Sequence, residues 1–249
     1  MQAIVDNLLA SYEKVGNGPT VLMLHGWGDS HQTFSELSRE LEDKFSIISL
    51  DLPGFGGTQA PKTVWSLNDY CDFVAKFLVK IDEKKPYAIV GHSNGGAISI
   101  RGLANGIFES DKLVLLASSG VRDVYKGRKK ALRLAAKAAK AATYPLPKSV
   151  TVRIKKHAYK SVGSDMFVAE HLQETFKKIV GDDVRNDAKK LKLPTLLIYG
   201  SEDNATPVRY GELFRDAIPG SMLQVIDGAG HHLHHDNPKE VYYFVKEFL

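Results

Sequence analysis

Short apolar runs alternate with longer amphipathic stretches along most of this chain. The apolar runs have the length and composition of strands, and seven are predicted: residues 8–15, 20–24, 45–50, 87–90, 112–117, 194–199 and 222–226. Apolar residues spaced three and four apart predict helices over residues 34–41, 67–81, 95–106, 210–217 and 239–249. This alternation indicates an α/β fold with a mostly parallel central sheet and helices on both faces.

The alternation is interrupted between residues 121 and 192, where helical patterns dominate. This stretch contains 19 Lys and Arg against 7 Asp and Glu, whereas the rest of the chain contains 14 basic and 22 acidic residues. The modest overall charge of +4 therefore conceals a strongly basic segment within an acidic body. We expect one core formed by residues 1–120 and 193–249, with residues 121–192 inserted into it.

The overall composition is that of an ordinary soluble domain, with 43% hydrophobic and 25% charged residues. No apolar run approaches the roughly 18 residues of a membrane span, and the first residues lack the basic and apolar segments of a signal peptide. The single cysteine, Cys71, lies on the apolar face of a predicted helix and has no partner for an internal disulfide. A cytoplasmic location is the expectation.

The candidate nucleophile is Ser93, in the pentapeptide Gly91-His92-Ser93-Asn94-Gly95. The pentapeptide follows a predicted strand and precedes a predicted helix, so Ser93 lies on a tight strand-to-helix turn. The flanking glycines leave room for the strand and helix to approach each other. An ordinary loop serine before a helix is the alternative interpretation.

A serine hydroxyl needs a base and an acid, and both occur downstream at predicted strand ends. Asp203 follows the strand at 194–199, and His231 follows the strand at 222–226. Taken singly, Asp203 could be a turn or helix-capping residue, and His231 could be one of several surface histidines. The order Ser, Asp, His at successive strand ends favours a catalytic triad.

In these features the chain resembles the α/β-hydrolase family, and the resemblance covers essentially its whole length. The resemblance rests on the serine turn and on residues 25–28 (His-Gly-Trp-Gly), 51–58 (Asp-Leu-Pro-Gly-Phe-Gly-Gly-Thr) and 230–238, which contain Gly230-His231 and Pro238. It implies Ser93 as nucleophile, Asp203 as acid and His231 as base. It also implies that residues 121–192 form a helical cap over the active site.

Two backbone N–H groups are expected to stabilise the oxyanion, those of Trp27 and Asn94. His25 is interpreted as a buried residue that holds the Trp27 loop, and the 51–58 turn as architectural. His92 is interpreted as a strand-end packing residue. The Asn94 side chain could contact substrate or cap the following helix.

No metal and no cofactor are expected. Four histidines and an acid crowd one loop, His231, His232, His234, His235 and Asp236, and could attract a divalent ion. Such bunching on a loop suits solvent better, with His232 exposed, and there is no phosphate-binding glycine motif.

The basic insertion has one predicted helix face formed by Lys126, Lys130, Arg133, Lys137 and Lys140. This face is either a solvated surface resting on the acidic core or a site for an anionic partner. The partner would be a carrier protein, a membrane surface or an anionic substrate. No nucleic acid is expected, because no recognised binding module accompanies the charge.

These features predict a serine hydrolase that cleaves a small-molecule carboxylic ester through an acyl-enzyme on Ser93. The same triad also serves thioesterases, C–C bond hydrolases and lyases, and these remain alternatives. A ligand receptor with slow turnover is the alternative from outside enzymology.

Overall fold

A computed structural model describes residues 1–122 and 169–249. Its sheet consists of eight strands: β1 Gln2–Val5, β2 Leu8–Val15, β3 Thr20–Leu24, β4 Ser46–Leu50, β5 Ala88–His92, β6 Lys112–Leu116, β7 Thr195–Gly200 and β8 Met222–Ile226. The described helices are α1 Ser35–Leu41, α2 Leu67–Lys80, α3 Asn94–Ala104, α4 Gln173–Val180, α5 Arg185–Ala188, α6 Val208–Ala217, α7 Leu233–Asp236 and α8 Pro238–Phe248. Short 3-10 helices cover His31–Phe34 and Glu170–Leu172.

The strand order across the sheet is β1-β2-β4-β3-β5-β6-β7-β8. From β4 to β8 every neighbouring pair is parallel, whereas β2 runs antiparallel to both β1 and β4. The α/β-hydrolase fold predicted from the sequence is thereby confirmed. The carboxyl ends of β5, β6, β7 and β8 lie side by side at one edge, which is where such sheets bind ligands.

Strand β1 was not predicted from the sequence. It pairs with β2 through a two-residue turn in which Asp6 and Asn7 both adopt positive φ, at 51° and 63°. Two consecutive positive φ values define the hairpin turn whose twist matches that of the strands. Asp-Asn between two apolar runs is the local signal that could have revealed this hairpin.

Two apolar cores cover the two faces of the sheet. The larger core includes Tyr70, Phe73 and Phe77 of α2. The other core includes Phe34 of the first 3-10 helix and Val241 of α8. Helix α2 presents this apolar face because its buried residues recur every three to four positions, and a Ser66–Asp69 capping box fixes its start. The predicted burial of Cys71 on this face is confirmed.

The described end of the predicted insertion, residues 169–192, contains α4 and α5. Thr175 of α4 accepts a hydrogen bond from the Trp65 amide at 3.1 Å, and Val184 donates to the Gly120 carbonyl at 2.8 Å. The predicted basic face from Lys126 to Lys140 lies outside the described residues. No helix in the two described ranges is long and apolar enough to cross a membrane.

Candidate active site

Ser93 lies between β5 and α3 in a backbone conformation that residues other than glycine rarely adopt, with φ 50° and ψ −113°. Its amide donates to the Leu116 carbonyl and its carbonyl accepts from the Ser119 amide, each at 3.0 Å. These two backbone hydrogen bonds hold the strained turn in place.

The two glycines of the pentapeptide are required by close backbone contacts. A Cβ at Gly91 would lie 2.7 Å from the Gly95 carbonyl oxygen and from Gly96, and a Cβ at Gly95 would overlap the Leu24 carbonyl. Helix α3 therefore begins too close to the end of β5, at Gly91, and to the end of β3, at Gly95, for a side chain at either position. The predicted strand-to-helix elbow is present, and it presents Ser93 partly exposed at the sheet edge.

Asp203 and His231 form a direct pair at the neighbouring strand ends. Oδ2 of Asp203 lies 2.8 Å from Nδ1 of His231, and the carboxylate side chain is fully buried. The other oxygen, Oδ1, accepts hydrogen bonds from the amides of Ala205 and Thr206 at 2.7 and 2.9 Å. Asp203 therefore stabilises its own turn through Oδ1 and orients the imidazole through Oδ2. It does not cap helix α6, which begins only at Val208.

The electrostatics of Asp203 favour its ionised form. Burial acts to raise the pKa of this carboxyl, but hydrogen bonds and charge from His231, with further hydrogen bonds from Thr206, outweigh it and lower the pKa overall. A buried, ionised carboxylate on Nδ1 directs the other imidazole nitrogen, Nε2, to act as a base.

His92 connects the serine turn to the His231 loop. Its Nε2 lies 3.0 Å from the His231 carbonyl, and the centroids of the two rings are 4.9 Å apart. Because His92 directly precedes Ser93, this contact brings the loop carrying His231 to the same sheet edge as the serine. The interpretation of His92 as a buried strand-end residue is confirmed.

The loop carrying Trp27 lies directly against the serine. A Cβ at Gly26 would lie 3.1 Å from the Ser93 Cβ. His25, fully buried, donates from Nδ1 to the Gly26 carbonyl at 2.7 Å and accepts at Nε2 from the Leu52 amide at 2.9 Å. Burial lowers the pKa of His25, so the imidazole is neutral and holds this loop, as the sequence predicted.

The 51–58 turn is also architectural, as predicted. The Asp51 carboxylate accepts hydrogen bonds from the amides of His31 at 2.6 Å and Gly57 at 2.8 Å. It thereby ties the turn to the segment after β3.

Among the described residues, the side chains of Asn94 and Trp27 have buried polar atoms without a hydrogen-bond partner. Neither Nδ2 nor Oδ1 of Asn94 has one, and neither does Nε1 of Trp27. Leaving a buried polar group unpaired costs about 1–3 kcal/mol. The Asn94 side chain does not cap α3, which excludes one of its two proposed roles. Because Asn94 is the first residue of α3, its amide has no acceptor within the helix.

The histidine cluster is not uniformly exposed, which corrects the sequence-based interpretation. His232 and His235 are exposed as expected, but His234 is buried and its ring lies edge-to-face with that of His92, with centroids 4.6 Å apart. Burial lowers the pKa of both His92 and His234, which keeps them neutral. The polar local sequence gave no sign of this burial, because the residues that contact His234, such as Thr33 and His92, are distant in the chain.

A family model described as serine aminopeptidase, S33, matches residues 17–238. The chain belongs to this family of α/β-hydrolases. The S33 family chain is 25% identical over 242 residues to the pimeloyl-[acyl-carrier protein] methyl ester esterase of Chromobacterium violaceum, covering 88% of this chain and 89% of that one. It is 28% identical over 246 residues to a putative esterase/lipase of Mycoplasma pneumoniae, covering 92% and 88%.

Solved structures agree with the fold of this S33 family member. A membrane phospholipase A superposes with a TM-score of 0.79 at 22% identity, covering 100% of this chain and 84% of that one. An esterase from Exiguobacterium antarcticum superposes with a TM-score of 0.76 at 21% identity, covering 100% and 98%. At these identities the superpositions establish the fold alone.

Proposed function

We propose that this protein is a serine hydrolase that cleaves carboxylic esters through an acyl-enzyme on Ser93. The observation that carries the proposal is the pair Asp203–His231, with its 2.8 Å contact, at the sheet edge where the strained Ser93 turn projects. Nothing in the proposed chemistry calls for a cofactor.

In the proposed mechanism, Nε2 of His231 takes the proton from the Ser93 hydroxyl as its oxygen attacks the ester carbonyl. The ionised Asp203 stabilises the imidazolium that forms. His231 then gives the proton to the departing alcohol, which leaves the acyl group on Ser93. A water molecule, deprotonated by the same imidazole, releases the acid and restores the serine.

The proposed oxyanion donors are the backbone N–H groups of Trp27 and Asn94. Two observations support them: the close approach of Gly26 to Ser93, and the position of Asn94 at the start of α3. Removal of one such donor typically costs about 10²–10³ in kcat. The side chain of Asn94, which has no hydrogen-bond partner in the two described ranges, is proposed to contact the substrate.

The proposed cap, residues 121–192, would cover this site with apolar surface. The ring centroid of Phe176 in α4 lies 5.1 Å from that of Trp27, and the ring centroid of Phe55 lies 4.8 Å from that of Trp27. This aromatic group suits an apolar acyl or alcohol portion next to the reacting carbonyl.

Ester cleavage is favoured over peptide cleavage by the relatives, among them the methyl ester esterase and the putative esterase/lipase. The family description names an aminopeptidase instead. Activity on p-nitrophenyl esters of graded chain length, compared with aminoacyl p-nitroanilides, decides between these reactions. Faster turnover of the anilides would overturn the ester proposal.

A fluorophosphonate probe tests the nucleophile directly. We expect one label per chain, at Ser93, and none in Ser93→Ala. The matched control is Ser119→Ala, because Ser119 lies against the same turn but has no proposed role. Labelling of Ser93→Ala at the wild-type rate, or failure of the wild type to hydrolyse any ester, would refute the proposal.

A further inference from the structure

Beside the proposed catalytic residues lies a second cluster of side chains, formed by Asp29, His92, His232 and His234. Each offers one ligand-type atom, and these four atoms lie within 4.8 Å of one another. Three imidazoles and one carboxylate are a donor set suited to zinc and related transition ions. None of the four residues belongs to the proposed triad or oxyanion hole.

His92 has a nitrogen that is free to bind an ion. Its Nε2 lies 3.0 Å from the His231 carbonyl, which only accepts hydrogen bonds, so Nε2 carries the proton and Nδ1 carries a lone pair. Nδ1 is buried and has no hydrogen-bond partner within residues 1–122 and 169–249. A Cβ at Gly26 would lie only 2.9 Å from it, so the glycine preserves the space next to this nitrogen.

The ring of His234 has the same arrangement, with Nε2 in a hydrogen bond and Nδ1 unpaired. Its Nε2 lies 2.8 Å from the Thr33 hydroxyl, and its Nδ1 is buried without a hydrogen-bond partner in the part of the chain that the structure describes. The same hydroxyl lies 2.9 Å from Nε2 of His235, so it can accept from His234 and donate to His235. In that arrangement both buried rings, His92 and His234, present unprotonated Nδ1 atoms and are oriented through Nε2. Such outer contacts are typical of metal-binding histidines.

Of the remaining two members, Asp29 supplies a negative charge and His232 a solvent-exposed side of the cluster. Asp29 is half-buried, and one of its oxygens accepts from the Ser30 amide at 2.8 Å. His232 is exposed, so an ion reaches the buried nitrogens from its side. A tetrahedral zinc ion with bonds of about 2.0–2.1 Å requires ligand atoms roughly 3.3 Å apart. A small inward movement of these two outer side chains would satisfy that requirement.

We propose that Asp29, His92, His232 and His234 bind a divalent transition-metal ion, with Zn²⁺ the ion that fits best. This departs from the sequence-based expectation of no metal, which treated the histidines after β8 as a solvated group. The decisive members, His92 and Asp29, come from distant parts of the chain. The bound ion joins the loop after β3, the end of β5 and the segment after β8.

The direct test is calorimetric titration of the chelator-treated full-length protein with zinc chloride. We expect one Zn²⁺ per chain in the wild type. His232→Ala and Asp29→Asn, which change exposed or half-buried side chains, should each raise the Kd by roughly 10- to 100-fold or more, since even outer contacts are worth that much. His171→Ala is the matched control, because His171 is exposed, is not one of the four and does not contact the Thr33 hydroxyl.

A second measurement guards against binding at an unrelated site. Co²⁺ in place of Zn²⁺ should give the visible absorption bands of tetrahedral coordination, and these bands should be absent in His232→Ala. The proposal is overturned if the wild type binds no Zn²⁺, or if His232→Ala and Asp29→Asn bind it as tightly as His171→Ala. Ester turnover is not used as a readout, so this test and that of the proposed hydrolase fail independently.

Discussion

The hydroxyl of Thr206 lies 2.6 Å from Oδ2 of Asp203, the same carboxylate oxygen that contacts His231. The hydroxyl is also 3.1 Å from Nδ1 of His231. Thr206 therefore braces both members of the proposed acid–base pair without belonging to it. It is a positioning residue that the sequence alone did not identify.

Thr206→Val should lower kcat by about tenfold with little change in KM, because a hydrogen bond to a charged group contributes about 1.5–3 kcal/mol. Thr206→Ser keeps the hydroxyl and should restore most of the activity. Steady-state kinetics on a short p-nitrophenyl ester measure both variants. Equal activity of Thr206→Val and wild type would show that the hydroxyl does not position the pair.

Alanine at Ser93 or His231 should lower kcat by about 10⁴–10⁶, with a smaller loss for Asp203→Ala. The double variant Ser93→Ala/His231→Ala should be no slower than either single variant, because residues that act as one unit lose their effect together. Circular dichroism checks that each variant is folded. Additive losses in the double variant would contradict the shared mechanism.

Stability should fall as the pH is lowered below about 6.5, and His25 should account for part of the loss. Burial lowers the pKa of folded His25, so below its ordinary pKa the unfolded chain holds a proton there that the folded chain does not. The free energy of unfolding then decreases towards acid by up to about 1.4 kcal/mol per pH unit for this residue.

Urea unfolding from pH 7 to 5 measures this contribution. His25→Gln should be less stable at pH 7, where its hydrogen bonds are lost, but its stability should depend less steeply on pH. His171→Gln is the control, because His171 is exposed. Parallel pH profiles for wild type and His25→Gln would mean that His25 takes up its proton equally in both states.

Cys71 should resist alkylation in the folded protein. Its thiol is buried, lies 3.4 Å from the Ile98 carbonyl, and has its pKa raised by burial to about 12, so almost no thiolate is present at pH 8. Iodoacetamide should modify one thiol per chain in guanidinium chloride and essentially none in buffer. Rapid modification of the native protein would place Cys71 at an accessible surface.

Removal of metal should leave ester hydrolysis intact, because the proposed mechanism uses only the protein's own groups. Turnover of a p-nitrophenyl ester before and after EDTA treatment checks this. Loss of activity with EDTA, restored by Zn²⁺, would assign the proposed metal site a part in the reaction.

Local sequence patterns were sufficient for much of this fold. The pentapeptide around Ser93 predicted its elbow because the need for Gly91 arises within a few residues of chain, although Gly95 is required by Leu24 of β3. Strand β1 was missed because its turn uses Asp6 and Asn7 in place of glycine. The predicted helices agree with the observed ones to within a few residues, since amphipathic spacing is itself a local property.

The amino-acid sequence by itself determined the order of strands β2 to β8 and of the longer helices packed on them, and the positions of Ser93, Asp203 and His231 after separate strands. Only the tertiary structure decided the arrangement across the sheet that places those strand ends side by side. It also decided that His234 is buried against Thr33, 201 residues away in the chain, and that the side chain of Asn94 has no hydrogen-bond partner among the described residues. Burial and pairing depend on residues that meet only on folding, so no local pattern encodes them.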